Sequence, residues 1–272
     1  MKLTKMKIAA PLLSGALVFA VSAAALAADK KMNWGDKQVG EIRSGYTYAA
    51  PETRSMQDDD FANPGMVWTD DGKALWGKKD GKAGKSCASC HGADAADMKG
   101  VATVYPRVDE RTGKLENIES QINFCREKRM DAKGWKLESN EMLAMTVFVR
   151  HQSRGMKMNV ATDGAAKPFY EQGKEFYYAR RGMLDMSCAQ CHETNAGMKA
   201  RANTLSQGQS NGFPTYRLKW QKVGSIHRRF RGCNKQVRAT PYKAGSSEYL
   251  ALELYLASRG KGLPVETPAV RN

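Results

Sequence analysis

Two short stretches, Cys87-Ala-Ser-Cys90-His91 and Cys188-Ala-Gln-Cys191-His192, decide the reading of this 272-residue chain. Each is C-x-x-C-H, the spacing of covalent c-type haem attachment. Two thiols at that separation can each form a thioether to one edge of a porphyrin. The histidine that follows then lies beneath the iron as its proximal ligand. Paired cysteines with a histidine also suit zinc, and C-x-x-C alone suits thioredoxin-like redox chemistry. Two copies of the whole pentapeptide favour haem. Two covalently bound haem c groups are therefore expected, held by Cys87, Cys90, Cys188 and Cys191, with His91 and His192 as axial ligands.

Working outward, the flanks repeat as well. Gly72-Lys73 and Gly173-Lys174 precede the first haem cysteine by the same interval, and Pro106 and Pro214 precede a lone cysteine, Cys125 or Cys233, by the same interval. Ile118 and Ile226 match in that register. Glu141-Met-Leu-Ala-Met with Ser153-Arg-Gly155 answers Glu248-Tyr-Leu-Ala-Leu with Ser258-Arg-Gly260. The second copy has the longer loop between its haem histidine and its proline. The expected fold is mainly α: two tandem cytochrome c-like haem domains, residues 66–160 and 168–264, related by internal duplication. One helix of each carries Leu75 and Trp76, or Phe176 and Tyr177. Another carries Leu143, Met145, Val147 and Phe148, or Leu250, Leu252, Leu254 and Tyr255. The second runs alternate in part, which leaves a strand open, but alanine content and a glycine stop favour helix. Residues 163–167 read as a short polar linker, and 28–65 as an N-terminal arm laid over the domains.

Residues 1–27 read as a secretory signal: a lysine-bearing start, an apolar run and an Ala25-Leu-Ala27 close. No other stretch is long and apolar enough to span a bilayer, so a periplasmic protein without a membrane span after cleavage is expected. The formal charge is +15, and three of those cations (Lys2, Lys5, Lys7) sit in the leader, so the exported chain keeps +12. That surplus favours an anionic partner. Nucleic acid is not expected, because no recognition motif accompanies the charge.

Methionine is the usual second axial ligand of an electron-transfer cytochrome c. In the second copy the only methionine after His192 is Met198, too close in sequence to swing across the ring. The remaining candidates there are Cys233 and His227. In the first copy they are Cys125, Met130, Met142, Met145 and His151. The duplication points to Cys125 for the first haem and Cys233 for the second, since they occupy equivalent places. A disulfide between the two is the competing account in an oxidising compartment. Thiolate ligation stabilises ferric iron and makes each haem a low-potential group.

The copies differ around this cysteine. Glu119-Ser-Gln121-Ile-Asn-Phe precedes Cys125, whereas His227-Arg-Arg229-Phe-Arg231-Gly precedes Cys233, so Arg229 stands where Gln121 stands. Arginine's planar donor fork suits an oxyanion and lowers the pKa of a nearby thiol. A solvated basic face is the plainer account of the same charges. Basic residues around a soft nucleophile suggest an anionic substrate, itself a candidate sulfur oxyanion, and Gly232 removes a side chain beside Cys233.

The paired C-x-x-C-H motifs, the lone cysteine after each, and Arg229-Phe-Arg-Gly-Cys233 together resemble the SoxA family over essentially the whole exported chain. That family comprises haem subunits of periplasmic SoxAX cytochromes of thiosulfate oxidation; some members lack the first haem, and this sequence, which retains Cys87, Cys90, His91 and Cys125, resembles the dihaem form. The resemblance implies an L-cysteine S-thiosulfotransferase: with a smaller SoxX-like cytochrome in a heterodimer, it joins thiosulfate oxidatively to a cysteine thiol of a SoxYZ-like carrier. Two electrons pass to a soluble cytochrome c. It further implies that Cys233 is both distal ligand and persulfide-bearing catalytic residue, that Arg229 binds substrate, and that Cys125 is the distal ligand of the first haem. A dihaem carrier with no bond-making role, expected to use methionine ligation, and a dihaem peroxidase with an open distal site are the alternatives.

Overall fold

Residues 37–272, the part described by the computed structural model, run as α1 (Pro51–Asp58), α2 (Met66–Gly77), α3 (Ala88–His91), α4 (Ile118–Arg129), α5 (Asn140–His151), α6 (Lys167–Tyr178), α7 (Ile226–Gln236) and α8 (Ser247–Arg259). Short 3-10 turns and two- or three-residue strands connect them. The mainly helical, duplicated architecture expected from the sequence is what is found. The leader expected over 1–27 and the first part of the arm fall outside the described residues.

The repeat is visible in how the helices begin and cross. Asn117 and Ser225 cap α4 and α7 by accepting a backbone N–H three residues on, and Ser139 and Ser246 do the same for α5 and α8. Such side chains satisfy amide donors that a helix start leaves without a partner. Helix α2 then packs on α5, and α6 on α8, through a glycine in each case. A Cβ at Gly72 would stand 2.5 Å from Phe148 Cβ and closer still to the Ala144 carbonyl. One at Gly173 would stand 2.9 Å from Tyr255 Cβ, with the Ala251 carbonyl nearer. Ala144 and Phe148 match Ala251 and Tyr255 in the sequence register, so both copies make the same close backbone crossing. Next to it, Trp76 packs on Phe148 at 5.5 Å and Tyr177 on Tyr255 at 5.2 Å between ring centres. Burying aromatics of this size stabilises each crossing by about 1.5–3 kcal/mol per side chain.

The repeats share one core. Leu254 and Ala257 of α8 pack with Ile118, Met145 and Phe148 of the first copy. The residues that alternate in sequence are helical, because α5 and α8 are buried nearly all round: Met142, Leu143, Met145 and Val147 in one, Leu252, Leu254 and Tyr255 in the other. The glycine stop differs between the copies. Gly260 is the cap residue of α8, but its φ is −90°, whereas α5 ends at His151 and Gly155, at φ +82°, closes a turn beyond it.

Two features carry no signal in the helical periodicity. A three-stranded sheet sets Thr215–Arg217 between antiparallel Lys222–Gly224 and parallel Ala269–Arg271, with Arg217 paired to Arg271 in register. Its Tyr216, Val223 and Val270 pack on Leu143 and Val147 of α5. The described part of the arm lies along this C-terminal strand. Thr53 Oγ1 donates to Asn272 Oδ1 at 3.0 Å, Val270 N–H to Gln57 Oε1 at 3.1 Å, and Asn63 Nδ2 to the Pro268 carbonyl at 2.9 Å.

The crossings yield a test. Gly173→Ala should destabilise the protein by about 1–3 kcal/mol through overpacking, while Gly77→Ala, whose Cβ would meet open space, should lie within about 0.5 kcal/mol of the parent. Calorimetric Tm values of the two variants read the difference, and equal values would contradict the close crossing.

Candidate functional site

Helix α7 carries the second lone cysteine on a defined face. Ser225 starts the helix, His227, Phe230 and Asn234 turn inward, and Arg229 and Cys233 fall four residues apart on a neighbouring face. In α4 the same spacing places Gln121 and Cys125 together, and Gln121 Nε2 donates to Cys125 Sγ at 3.5 Å. Gly232 has open space where a Cβ would stand, so nothing crowds Cys233 from that side.

A cavity of about 230 Å³ opens in front of Cys233. Cys188, Cys191 and His192 line it together with Arg229, Arg217 and Arg271, and apolar groups such as Phe230 and Leu252 complete the wall. His192 lies on a single wide turn, Gln190–Thr194, and its Nδ1 meets the Ser206 carbonyl at 2.7 Å. That bond places the ring proton on Nδ1 and leaves Nε2 free as a ligand atom. Gly208 lies against the ring: its φ is +76°, and a Cβ there would stand 3.0 Å from His192 Cγ. Imidazole and thiol line the same cavity.

The charges are set by burial and by arginine. Burial pushes the Cys233 thiol up, but Arg229, His192 and Arg217 together pull it down to about 7. Cys125 goes the other way. Burial raises it, and the Gln121 hydrogen bond with more distant cations does not compensate. The expected divergence between the two cysteines is thus present in the electrostatics. The first cysteine of each motif is pushed to about 11, Cys87 by burial and then Cys125, Cys188 by burial and then Cys233. Each lone cysteine therefore stands beside the motif of its own repeat.

Arg217 is the functional candidate that sequence reading missed. It lies 16 residues before Cys233, on the central strand, with Nε donating to the Asn272 backbone oxygen at 2.6 Å and the guanidinium 4.9 Å from the Trp220 ring centre. Burial and then Arg229 lower its pKa to about 10. Among the described residues neither Arg217 nor Arg229 pairs with an Asp or Glu. Arg271, in contrast, is neutralised by Glu266 at 3.1 Å. The three-residue strand that holds Arg217 is too short to signal itself by alternation.

The other ligand candidates point elsewhere. His227 is buried, its Nδ1 accepts from Gly245 N–H at 3.0 Å and its Nε2 stands 3.1 Å from Glu253. Met198 is 63% exposed, and Met142 and Met145 are locked in the core. His151 Nδ1 faces the Thr267 carbonyl at 3.2 Å. All six cysteines are free thiols, so Cys125 and Cys233 form no disulfide. Cys188, Cys191, His192 and Cys233 also do not converge on one point, since among the described residues no three His, Cys, Asp or Glu side chains could hold a single ion. Two thiols on one turn, an imidazole with a free Nε2 and a facing thiol across an apolar cavity fit a haem c.

The comparisons agree with this geometry. The family model for the SoxA/TsdA cytochrome c domain matches twice, at residues 71–158 and 172–265. The chain is 48% identical over 232 residues to the L-cysteine S-thiosulfotransferase subunit SoxA of Rhodovulum sulfidophilum, covering 85% of this chain and 81% of that protein. It is 50% identical over 231 residues to the subunit of the same name from Paracoccus pantotrophus, covering 85% and 79%. The solved structure of SoxXA from P. pantotrophus superposes with a TM-score of 0.83 at 50% identity, covering 85% of this chain and 87% of that one. A cytochrome c domain implies haem c.

Gly208→Ala tests the seat of His192. The added methyl and the loss of a left-handed glycine should displace the ring, so the ferric absorption spectrum should lose part of its low-spin component. Gly197→Ala, also at positive φ but in open space, should keep it. An unchanged spectrum in Gly208→Ala would contradict this packing.

Proposed function

The chain belongs to the SoxA family of c-type cytochromes, and from that premise we propose that it is the catalytic dihaem subunit of a periplasmic thiosulfate-oxidising complex. The observation that carries the reading is a half-buried thiol, Cys233, facing Arg229 and Arg217, neither of which pairs with an Asp or Glu among the described residues. That environment suits a divalent sulfur oxyanion and an ionised sulfur nucleophile together. The twofold match of the cytochrome domain supports one covalent haem on Cys87 and Cys90 and a second on Cys188 and Cys191. His91 and Cys125 would ligate the first haem, and His192 and Cys233 the second. The leader supports export, and the likeness to the SoxXA structure supports a heterodimer with a SoxX-like cytochrome.

Bound haem would supply one-electron acceptors; the rest of the chemistry falls to the chain. Thiosulfate is drawn by the basic surface and held by Arg229, with Arg217 across the cavity as a second donor. Its outer sulfur forms a bond to Cys233 Sγ with loss of two electrons, giving an S-thiosulfonate on the enzyme. The thiolate of a SoxYZ-like carrier then attacks that outer sulfur, and Cys233 leaves as thiolate. The sum joins thiosulfate to the carrier thiol, releases one proton and sends two electrons onward to a soluble cytochrome c. Sulfur-to-sulfur exchange is favoured when the leaving thiol has a low pKa, as the arginines give Cys233. Open space at Gly232 admits the carrier's cysteine.

Cys233→Ala should abolish coupling of thiosulfate to the carrier while intact mass still counts two haems; wild-type turnover would end the assignment. Arg229→Ala should raise KM for thiosulfate about tenfold or more, the scale of a lost charge-assisted hydrogen bond of about 1.5–3 kcal/mol. Gln121→Ala should leave KM near the parent value, and equal effects would reduce the asymmetry to surface charge.

A further inference from the structure

Between the repeats lies a second group of ionisable side chains that the thiol chemistry does not use. Glu119 of α4, Arg150 of α5, His227 of α7 and Glu253 of α8 are 8%, 7%, 3% and 8% exposed. Two come from each repeat, and Glu119 and His227 are register equivalents, each six residues ahead of its lone cysteine. Asn117 Nδ2 donates to Glu253 Oε2 at 3.0 Å, and His227 Nε2 stands 3.1 Å from the same oxygen. Arg150 Nε donates to Thr267 Oγ1 at 3.4 Å. A cavity of about 20 Å³, lined among others by Glu119, Arg150, Glu253, Tyr105 and Ser210, sits within the group. It has room for one water.

Charge balance singles out Glu119. Burial disfavours the His227 cation, and the neighbouring carboxylates, Glu253 first, raise its pKa overall. Nδ1 nevertheless accepts from Gly245 N–H, so the ring keeps its single proton on Nε2, towards Glu253, and a second proton would break that backbone bond. Arg150 then balances one carboxylate, and Glu253 is the one that Asn117 and His227 serve. Glu119 is left as a second buried carboxylate, and Glu138, whose oxygens are buried without hydrogen-bond partners, adds further negative charge near His227. Burial and then Glu253 push Glu119 up to about 7, against the pull of Arg150. A second negative charge in such a place is costly enough that the group holds a proton near neutrality.

We propose that Glu119 is a proton-binding site linked to the oxidation state of the haems, taking up one proton when a neighbouring iron is reduced and releasing it on reoxidation. The inference rests on the dihaem reading above. The step balances: one ferric iron gains one electron, released by the sulfur coupling, and the Glu119 carboxylate gains one proton from solvent. Only an O–H bond forms. Six helical residues rise about 9 Å along α4 from Glu119 to Cys125, the ligand proposed for the first haem. At separations of about 10–12 Å, with an effective dielectric of about 20, one unit of charge changes proton affinity about tenfold.

Spectroelectrochemical titration of the purified holoprotein between pH 5 and 9, without substrate, tests it. At least one haem midpoint should fall as pH rises through a window near neutrality and level off on either side. The total fall should approach the 59 mV that a tenfold change gives a one-electron couple. Glu119→Gln should remove that step while leaving the ferric spectrum, and hence the ligation, unchanged. Glu171→Gln on α6 should keep it. A step that survives in Glu119→Gln, or no step in the parent, overturns the proposal. Should Glu119→Gln fail to fold, infrared difference spectra of the parent decide: a carboxylic acid C=O band must appear on reduction and shift in D2O, and its absence overturns the proposal. Thiosulfate turnover does not enter these readings, so they stand or fall apart from the catalytic reading; loss of covalent haem would strike that reading first.

Discussion

A thiol buried in a low-dielectric wall stays protonated unless fixed positive charge offsets the cost of ionising it. At Cys233 that charge comes from Arg229 one helical turn back and from Arg217 on a strand, with the His192 imidazole facing the thiol across the cavity. The two arginines and the imidazole arrive from different parts of the second repeat, and much of its architecture serves to bring them together. Helix α7 fixes the cysteine and Arg229 on one face. The sheet, closed by the C-terminal strand and covered by α1, holds Arg217 at the cavity wall. Gly208 and the Ser206 carbonyl orient the imidazole. Remove the cations and the sulfur becomes what Cys125 already is, a half-buried thiol with a raised pKa.

The comparison with Cys125 is an internal control that the duplication supplies. Both cysteines ride on capped helices of nearly equal length, both stand beside a haem motif, and both have a polar partner four residues earlier. Exchanging arginine for glutamine at that partner position separates a thiol whose pKa a neighbouring cation lowers from one that burial keeps raised. The frame is conserved by geometry, because the glycine crossings of α2 with α5 and α6 with α8 tolerate little change.

Much of this was legible in the sequence, for physical reasons that can be named. The haem motifs are local, and the register of the duplication is carried by spacings, those of the paired glycines among them. Arg229 could be read because it lies on the same helix face as Cys233. Arg217 could not, since a three-residue strand gives no periodic signal and its place at the cavity depends on pairing with residues 269–271, more than fifty positions away. The glycine stop was read correctly in kind only for α8, because α5 ends earlier and leaves Gly155 to a later turn. Glu119, Arg150, His227 and Glu253 were illegible as a group, because no spacing within one repeat reveals what meets across the junction of two. His227 illustrates the point: next to a cysteine in sequence it is a candidate ligand, yet in the fold it turns to Glu253.

The most direct measurement of the central claim is low-temperature electron paramagnetic resonance of the oxidised holoprotein, compared with its Cys233→Met variant. The account predicts low-spin signals with the narrow g spread of histidine–thiolate ligation for both haems. In the variant, the second-repeat signal alone should move to the wider spread of histidine–thioether ligation. A parent protein whose second haem already shows the wide spread, or a variant that leaves every signal in place, would contradict a Cys233 sulfur on that iron.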